Sequence, residues 1–394
     1  MTRRGSFAFV SAVAVVFSTA VTSGARQGTA DGSVRLTVGP MRLLSPRFGY
    51  AVAYRTVRRG ATAQTTIGLF VDNEGRWRNA TPPRLKADGI DAIDDVAFVD
   101  QRHGWIAAYN CARATVYLYR TTDGGRSWRP LGRPTGHSCG GGPTFLSFVD
   151  AGHGWMEPVS PNAPGGELLQ TADGGKTWRH VAFGPPGQVS EPALPCLAPI
   201  RFVSRSRGWM GRCQLGGVFS TADGGHRWRR ARIAIPSRRD ARLDLPWFHG
   251  TDGVLAATIG TRPLNESGRT QAVVFSATHD GGRDWTVRSI RRVGSCPLNA
   301  YFTNVWPASV ADRRVWWLVA DGSRPRAQVT TDAGRTWRTT VAHGLPTRWC
   351  SVVSVSAGGP KTAWVIAREN KESNALFRTI DAGRSWRRVT LLGR

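Results

Sequence analysis

Carboxylates at a fixed spacing are the first candidates for chemistry in this sequence. Asp72, Asp123, Asp173, Asp223, Asp280, Asp332 and Asp381 recur at intervals of 51, 50, 50, 57, 52 and 49 residues. Six of them stand in the pattern Thr-x-Asp-x-Gly-x-x-Trp, which ends at Trp128, Trp178, Trp228, Trp285, Trp337 and Trp386. Upstream, Asp72 and Trp77 keep the same five-residue offset, but Phe70 replaces Thr and Gly75 is displaced by one. Aspartates suit acid–base hydrolysis or calcium binding. Seven equivalent copies cannot converge on one substrate, and a calcium loop needs more oxygen ligands than this motif supplies. The boxes are therefore expected to be structural. In such a turn Asp accepts hydrogen bonds from the backbone N–H groups of its own loop, Gly provides positive φ, and Trp packs its ring between neighbouring units.

Other chemistry is sparse. Asp94, Asp95, Glu157, Glu191 and Glu266 are carboxylates outside the boxes, and nothing in the sequence pairs any two at glycosidase spacing. No nucleophile elbow, zinc motif or phosphate-binding loop occurs. No cofactor, metal or nucleic-acid site is expected.

A period near fifty is that of a four-stranded propeller blade. Each repeat has a second signature ahead of its box. Gly104-Trp105, Gly154-Trp155 and Gly208-Trp209 open apolar stretches. Gly49-Tyr50, Gly253-Val254, Val315-Trp316 and Ala363-Trp364 hold the same place. Six residues before the Gly stands Phe98, Phe148, Phe202 or Trp247. One unit thus reads as strand A (95–99), strand B (105–109), strand C (115–120), box and strand D (128–131). The fold expected is all-β, a seven-bladed β-propeller with its blades between about Val34 and Leu392. A segment at Val34–Val38 is a candidate for clasping the last blade.

The N-terminus reads as a signal peptide over residues 1–25, with the propeller filling 26–394. Arg3 and Arg4 precede an apolar run from Phe7 to Ala20, and small residues follow at Ser18-Thr19-Ala20 and Ser23-Gly24-Ala25. An uncleaved anchor is the alternative reading; either way membrane contact is confined to this segment. Six cysteines in an exported chain imply disulfides. All six fall in B–C or D–A loops, on the face opposite the boxes. The expected pairs are Cys111–Cys139, Cys196–Cys213 and Cys296–Cys350. The same loops are the expected ligand face, with Tyr109, Asn110, His137, Tyr301, Arg348 and Trp349 as candidates.

The net charge of +26 comes from 53 basic and 27 acidic residues. Basic residues follow the motif: Arg126, Lys176, Arg283, Arg335 and Arg384 inside the boxes, and Arg129, Arg179, Arg229, Arg338 and Arg387 just after the Trp. Edge protection is the plain explanation, and a polyanion-binding rim is the sharper one.

Gly-Trp followed by Thr-x-Asp-Gly-Gly-x-x-Trp resembles the BNR/Asp-box superfamily over nearly the whole chain. The seven-fold, single-propeller form is most similar to Ycf48-like photosystem II assembly factors and their bacterial relatives. That resemblance implies a binding or assembly scaffold in the cell envelope or outside the cell, with a protein partner or glycan on the loop face. Two enzyme groups share the box. Sialidases are six-bladed and mark their first triad arginine with Arg-Ile-Pro, which this sequence lacks. Xyloglucanase-type hydrolases pair two propellers, and this chain has length for one. A glycoside hydrolase is the alternative function, and a binder of anionic wall polymer or glycan is the third.

Overall fold

The computed structural model describes residues 33–135, 143–158, 168–181, 199–211, 218–236, 241–260, 269–297, 307–320, 324–347 and 351–392. They form seven antiparallel sheets, six of four strands and one of five. The blades run in chain order from 33–79 (blade 1) through 92–132, 145–180, 200–230, 241–297 and 308–341 to 352–389 (blade 7). In blade 2, strands A to D are Ala92–Phe98, Gly104–Asn110, Thr115–Thr121 and Arg129–Gly132, within three residues of the expectation at every boundary. Strands B and C are buried on both sides because each blade is sandwiched between two others, so Gly104–Asn110 and Thr115–Thr121 are almost continuously buried. Strand D is exposed and polar.

Strand A packs against strand A of the neighbouring blade between blades 1 and 2, 2 and 3, 3 and 4, 6 and 7, and 7 and 1, which places the A strands around the central axis and the D strands on the circumference. The ring closes where blade 1 meets blade 7. Residues Val34–Val38 belong to blade 1's own inner strand, Ser33–Ser45, paired with Phe48–Arg59. They reach blade 7 through side chains: Val38 N–H donates to Asn374 Oδ1, Asn374 Nδ2 donates back to Val38 O at 3.3 Å, and Leu43 N–H donates to Ser356 Oγ at 2.8 Å. The clasp is thus built from side-chain bonds, and each blade consists of consecutive strands only.

Aromatic stacks join the blades. Trp105 of blade 2 lies flat on Phe148 of blade 3 at 3.7 Å, and Phe148 meets the edge of its own box Trp178 at 6.1 Å. Trp155, Phe202 and Trp228 repeat this between blades 3 and 4, with 3.7 and 6.0 Å separations. Between blades 4 and 5 the partner of Trp209 is Phe248, at 4.1 Å. The sequence expectation placed Trp247 there. The A–B turn of blade 5 is one residue shorter, since Phe248 pairs with Gly253, and the stacking position moves with it. A similar one-residue correction applies in blade 6, where Trp316 occupies the Gly position opposite Val310 and Thr330. Trp317 takes the place of Trp105 and donates to Gly359 O at 2.8 Å.

Candidate functional site

The six full boxes are self-contained turns. Asp123 Oδ1 accepts the N–H groups of Arg126 and Ser127, both at 2.9 Å, and the Thr121 hydroxyl at 2.7 Å; Oδ2 accepts Ser127 Oγ–H at 2.6 Å. Asp173, Asp223, Asp280, Asp332 and Asp381 each accept from the matching Thr and from an amide four residues on. The two residues after Asp123, Gly124 and Gly125, have φ of 73° and 79°, a left-handed pair that glycine adopts without strain. Hydrogen bonds from Thr336 and Thr330 hold the Asp332 carboxyl at about 2. The box tryptophans Trp128, Trp178, Trp285 and Trp386 donate to backbone carbonyls, and Trp337 to Ser289 Oγ.

Blade 1 departs from this pattern. Its left-handed pair is Glu74 and Gly75, with φ of 56° and 86°, and Asn73 pairs directly with Arg76. The displaced glycine makes a two-residue hairpin in place of the wider box turn. Asp72 therefore does not cap its turn as the other six aspartates do. It is fully buried, neither of its oxygens makes a well-formed hydrogen bond among the described residues, and burial raises its pKa against the opposing pulls of Arg378 and of the Gly75 amide. Trp77 is likewise reassigned: it packs on Trp364 of blade 7 at 4.8 Å, at the ring seam.

The groups that converge lie on the inner strands. One position recurs in every blade, opposite the second residue of the Gly-Trp signature (Trp105 and its equivalents): Arg42, Ala97, Ser147, Arg201, Trp247, Ser309 and Ser356. Three serines there bind the free edge of the next inner strand. Ser147 Oγ accepts Phe202 N–H at 2.7 Å, Ser309 Oγ accepts Ala357 N–H at 3.0 Å, and Ser356 Oγ serves Leu43. Arg201 performs the same task as a donor, to Leu245 O at 2.9 Å. Alanine at 97 has nothing to offer, and Asp95 replaces it: Oδ2 accepts Leu146 N–H of blade 3 at 2.9 Å while Oδ1 accepts Val96 N–H at 2.8 Å. Asp94 accepts Thr144 N–H at 3.0 Å.

Arg42, Asp95, Arg201 and Asp244 come from blades 1, 2, 4 and 5 and feel one another's charge; groups so placed can be in mutual range only across the axis. Burial pushes Asp95 up to about 7, against bonds from Leu146 and Val96 and the charge of Arg42. Burial raises Asp244 too, opposed by Arg201. Burial and the like charge of Arg42 bring Arg201 down to about 10. Arg42 is exposed and makes no hydrogen bond or ion pair among the described residues. Glu157, on strand B of blade 3, is buried with Oε2 unpartnered, and burial raises its pKa strongly. Among the described residues no group of three or more His, Cys, Asp or Glu is placed to hold a metal ion.

The loop-face candidates divide. Tyr109 is half-buried at the loop-face end of strand B of blade 2, its pKa raised by burial and by the charges of Asp94 and Asp91. Asn110 is buried and spent locally, donating to Asp88 O at 3.0 Å and Gly89 O at 2.7 Å and accepting Arg113 N–H at 2.8 Å. His137, Tyr301, Arg348 and Trp349 lie outside the described residues, as do Glu191 and Glu266. Cys111 is held in a disulfide. Cys139, Cys196, Cys213 and Cys350 lie outside the described residues, and for Cys296 only the backbone is within them, so the three expected pairs are not resolved by this geometry. Sequence reading missed Arg42, Arg201 and Asp244. Aligning the repeats on their Gly-Trp signature would have found the first two, because both stand seven residues before the glycine.

No family model and no curated protein matches the sequence. Solved structures similar to the chain include YCF48 bound to a D1 peptide, at 21% identity over 75% of this chain and 80% of that one, with a TM-score of 0.46. YCF48 from Cyanidioschyzon merolae is similar at 16% identity over 77% and 86%, with a TM-score of 0.49. The GH74 enzyme of Niastella koreensis is similar at 14% identity over 86% of this chain and 53% of that one, with a TM-score of 0.32.

Proposed function

We propose that this protein is an exported, non-enzymatic scaffold that binds an acidic segment of a protein partner in its central channel, near the end that adjoins the A–B turns and the boxes. One observation carries the reading. The carboxylates at the axis are occupied by backbone amides: Asp95 by Val96 and Leu146, Asp94 by Thr144, Asp244 by Leu245 at 2.7 Å. Arg42 is left as an exposed cation without a hydrogen-bonding partner among the described residues, so a visiting carboxylate completes the pairing. Export is supported by the basic and apolar start of the chain and by the disulfide at Cys111. YCF48 is one propeller seen with a peptide bound. The test is fluorescence anisotropy with labelled acidic peptides and their amidated counterparts. Wild type binds the acidic form, Arg42→Gln loses at least tenfold, and the amidated peptide binds neither. Equal binding by wild type and Arg42→Gln refutes the site.

A second reading rests on the raised pKa values of Asp95 and Glu157, since carboxyls shifted toward neutrality suit proton transfer to a glycosidic oxygen. A panel of chromogenic glycosides tests it: turnover abolished by Asp95→Asn or Glu157→Gln would establish a glycoside hydrolase.

A further inference from the structure

The outermost strands are Arg76–Asn79, Arg129–Gly132, Arg179–His180, Arg229–Arg230, Thr286–Pro297, Arg338–Val341 and Arg387–Val389. Of their 31 residues 12 are arginine, and none is Asp or Glu. The whole chain has 53 Lys and Arg in 394 residues, so a general taste for arginine does not account for the concentration. The enrichment is also local. The box turns on the adjoining face alternate their cations with carboxylates, as in Asp123 with Arg126 and Asp332 with Arg335.

Few of these arginines have structural work. Arg78 donates to the carbonyls of Gly124 and Gly125, Arg288 to His279 Nε2, Arg291 to Gln328, and Arg388 pairs with Glu369. Arg129, Arg179, Arg229, Arg338 and Arg387 follow the box tryptophans of five blades, are exposed, and make no side-chain hydrogen bond or ion pair among the described residues. Arg76 and Arg292 supply the equivalent in blades 1 and 5. Every blade therefore presents at least one unpaired guanidinium on the circumference. Discouraging sheet-edge association needs charge on each edge, but it does not need one sign throughout; Glu or Asp on some blades would serve equally.

We propose that this circumferential belt binds a linear polyanion, a flexible chain of repeating phosphate, sulfate or carboxylate groups that follows the rim from blade to blade. A belt that turns right round the disc can be engaged fully only by a chain that bends with it; a flat surface touches one arc. Guanidinium forks match oxyanions in bidentate fashion, and the adjacent unpaired strand edges add backbone N–H donors. Binding of this kind releases counterions, so its affinity falls steeply and log-linearly with salt.

The experiment compares three forms of the full chain. The belt variant carries Arg129→Gln, Arg179→Gln, Arg229→Gln, Arg338→Gln and Arg387→Gln. A control of equal net charge carries Arg102→Gln, Arg283→Gln, Arg314→Gln, Arg335→Gln and Arg384→Gln on the box face. Probes are heparin, long-chain inorganic polyphosphate and polyglutamate, titrated from about 50 to 300 mM salt, with circular dichroism to establish that each form is folded. Wild type and control should bind at about 0.15 M salt, and the belt variant should lose at least tenfold and show a shallower salt slope. Which probe binds tightest identifies the anion. Three outcomes overturn the proposal: equal losses in both variants, which assigns binding to net charge; no binding at about 0.15 M salt; or binding by anionic vesicles with none by the soluble polymers.

Discussion

Two aspartates at matching places in the repeat should respond in opposite ways to the same substitution. In Asp123→Ala the turn loses an acceptor for two amides, Arg126 and Ser127, and for the hydroxyls of Thr121 and Ser127. Arg126 and Ser127 are exposed, so water replaces part of what is lost. Thr121 is 1% exposed and has no such substitute, although it still accepts Gly125 N–H at 2.8 Å. The net cost is roughly 1–3 kcal/mol, one poorly replaced buried bond plus partly compensated ones. Asp72 is buried and makes no well-formed hydrogen bond among the described residues, with only the Gly75 amide and the charge of Arg378 opposing its burial. Asp72→Ala therefore removes a poorly compensated buried carboxyl at the expense of a small void, and stability should stay within about 1 kcal/mol of wild type or rise. Urea unfolding followed by tryptophan fluorescence, with the slope held common, reads both. If Asp72→Ala destabilises as much as Asp123→Ala, the hairpin at Glu74–Gly75 does not relieve Asp72 of the box role and the argument fails.

Three further outcomes follow from the same geometry. Trp105 is fully buried, stacked on Phe148 and bonded to Gly174 O at 2.9 Å; Trp105→Ala should cost about 3–5 kcal/mol in urea unfolding, since it empties an interface between blades. Asp95 keeps its proton up to about pH 7 in the folded chain, against 3.8 for an ordinary aspartate carboxyl. The stability this confers is full below about 3.8 and lost as pH rises through 7; Asp95→Asn should flatten that limb in unfolding curves taken between pH 4 and 8. Peptide mapping without reductant should recover Cys111 linked to Cys139, and recovery of Cys111 with any other cysteine refutes the pairing inferred from the loop face.

The seven blades were legible because the motif carries its own geometry: Asp, two turn residues and Trp at fixed offsets describe a hairpin, and seven of them describe a ring. The registers were less legible. Phe248 for Trp247 and Trp317 for Trp316 are one-residue slips set by the length of a single turn, and a strand period of two makes such a slip reverse which side chain faces the interface. Asp72 was misread for the converse reason. Its offset to Trp77 was intact, yet Gly75, moved by one, selects a different turn. The charged cluster at the axis could not be read from any one repeat. Arg42, Asp95, Arg201 and Asp244 are scattered over two hundred residues and meet only because ring closure brings blades 1, 2, 4 and 5 around one channel.

The shared inner-strand position explains where this architecture has room to change. Its duty is small: to satisfy the neighbouring strand's free edge, which serine does in blades 3, 6 and 7 with a single hydroxyl. Arg201 meets the duty with one nitrogen of its guanidinium and carries its charge into the channel as well. In blade 2 the duty has moved two residues to Asp95, which frees position 97. In blade 1, Tyr50 bonds to Val96 O, so Arg42 has no duty at all. A position whose structural demand can be met by a hydroxyl, a carboxylate or a guanidinium, or delegated to a neighbour, tolerates changes in channel charge without loss of the ring. Altered ligand preference should therefore arise at these seven sites at little expense in stability, whereas the aspartates of the six full boxes, each accepting from its Thr and from at least one backbone amide, admit no such exchange.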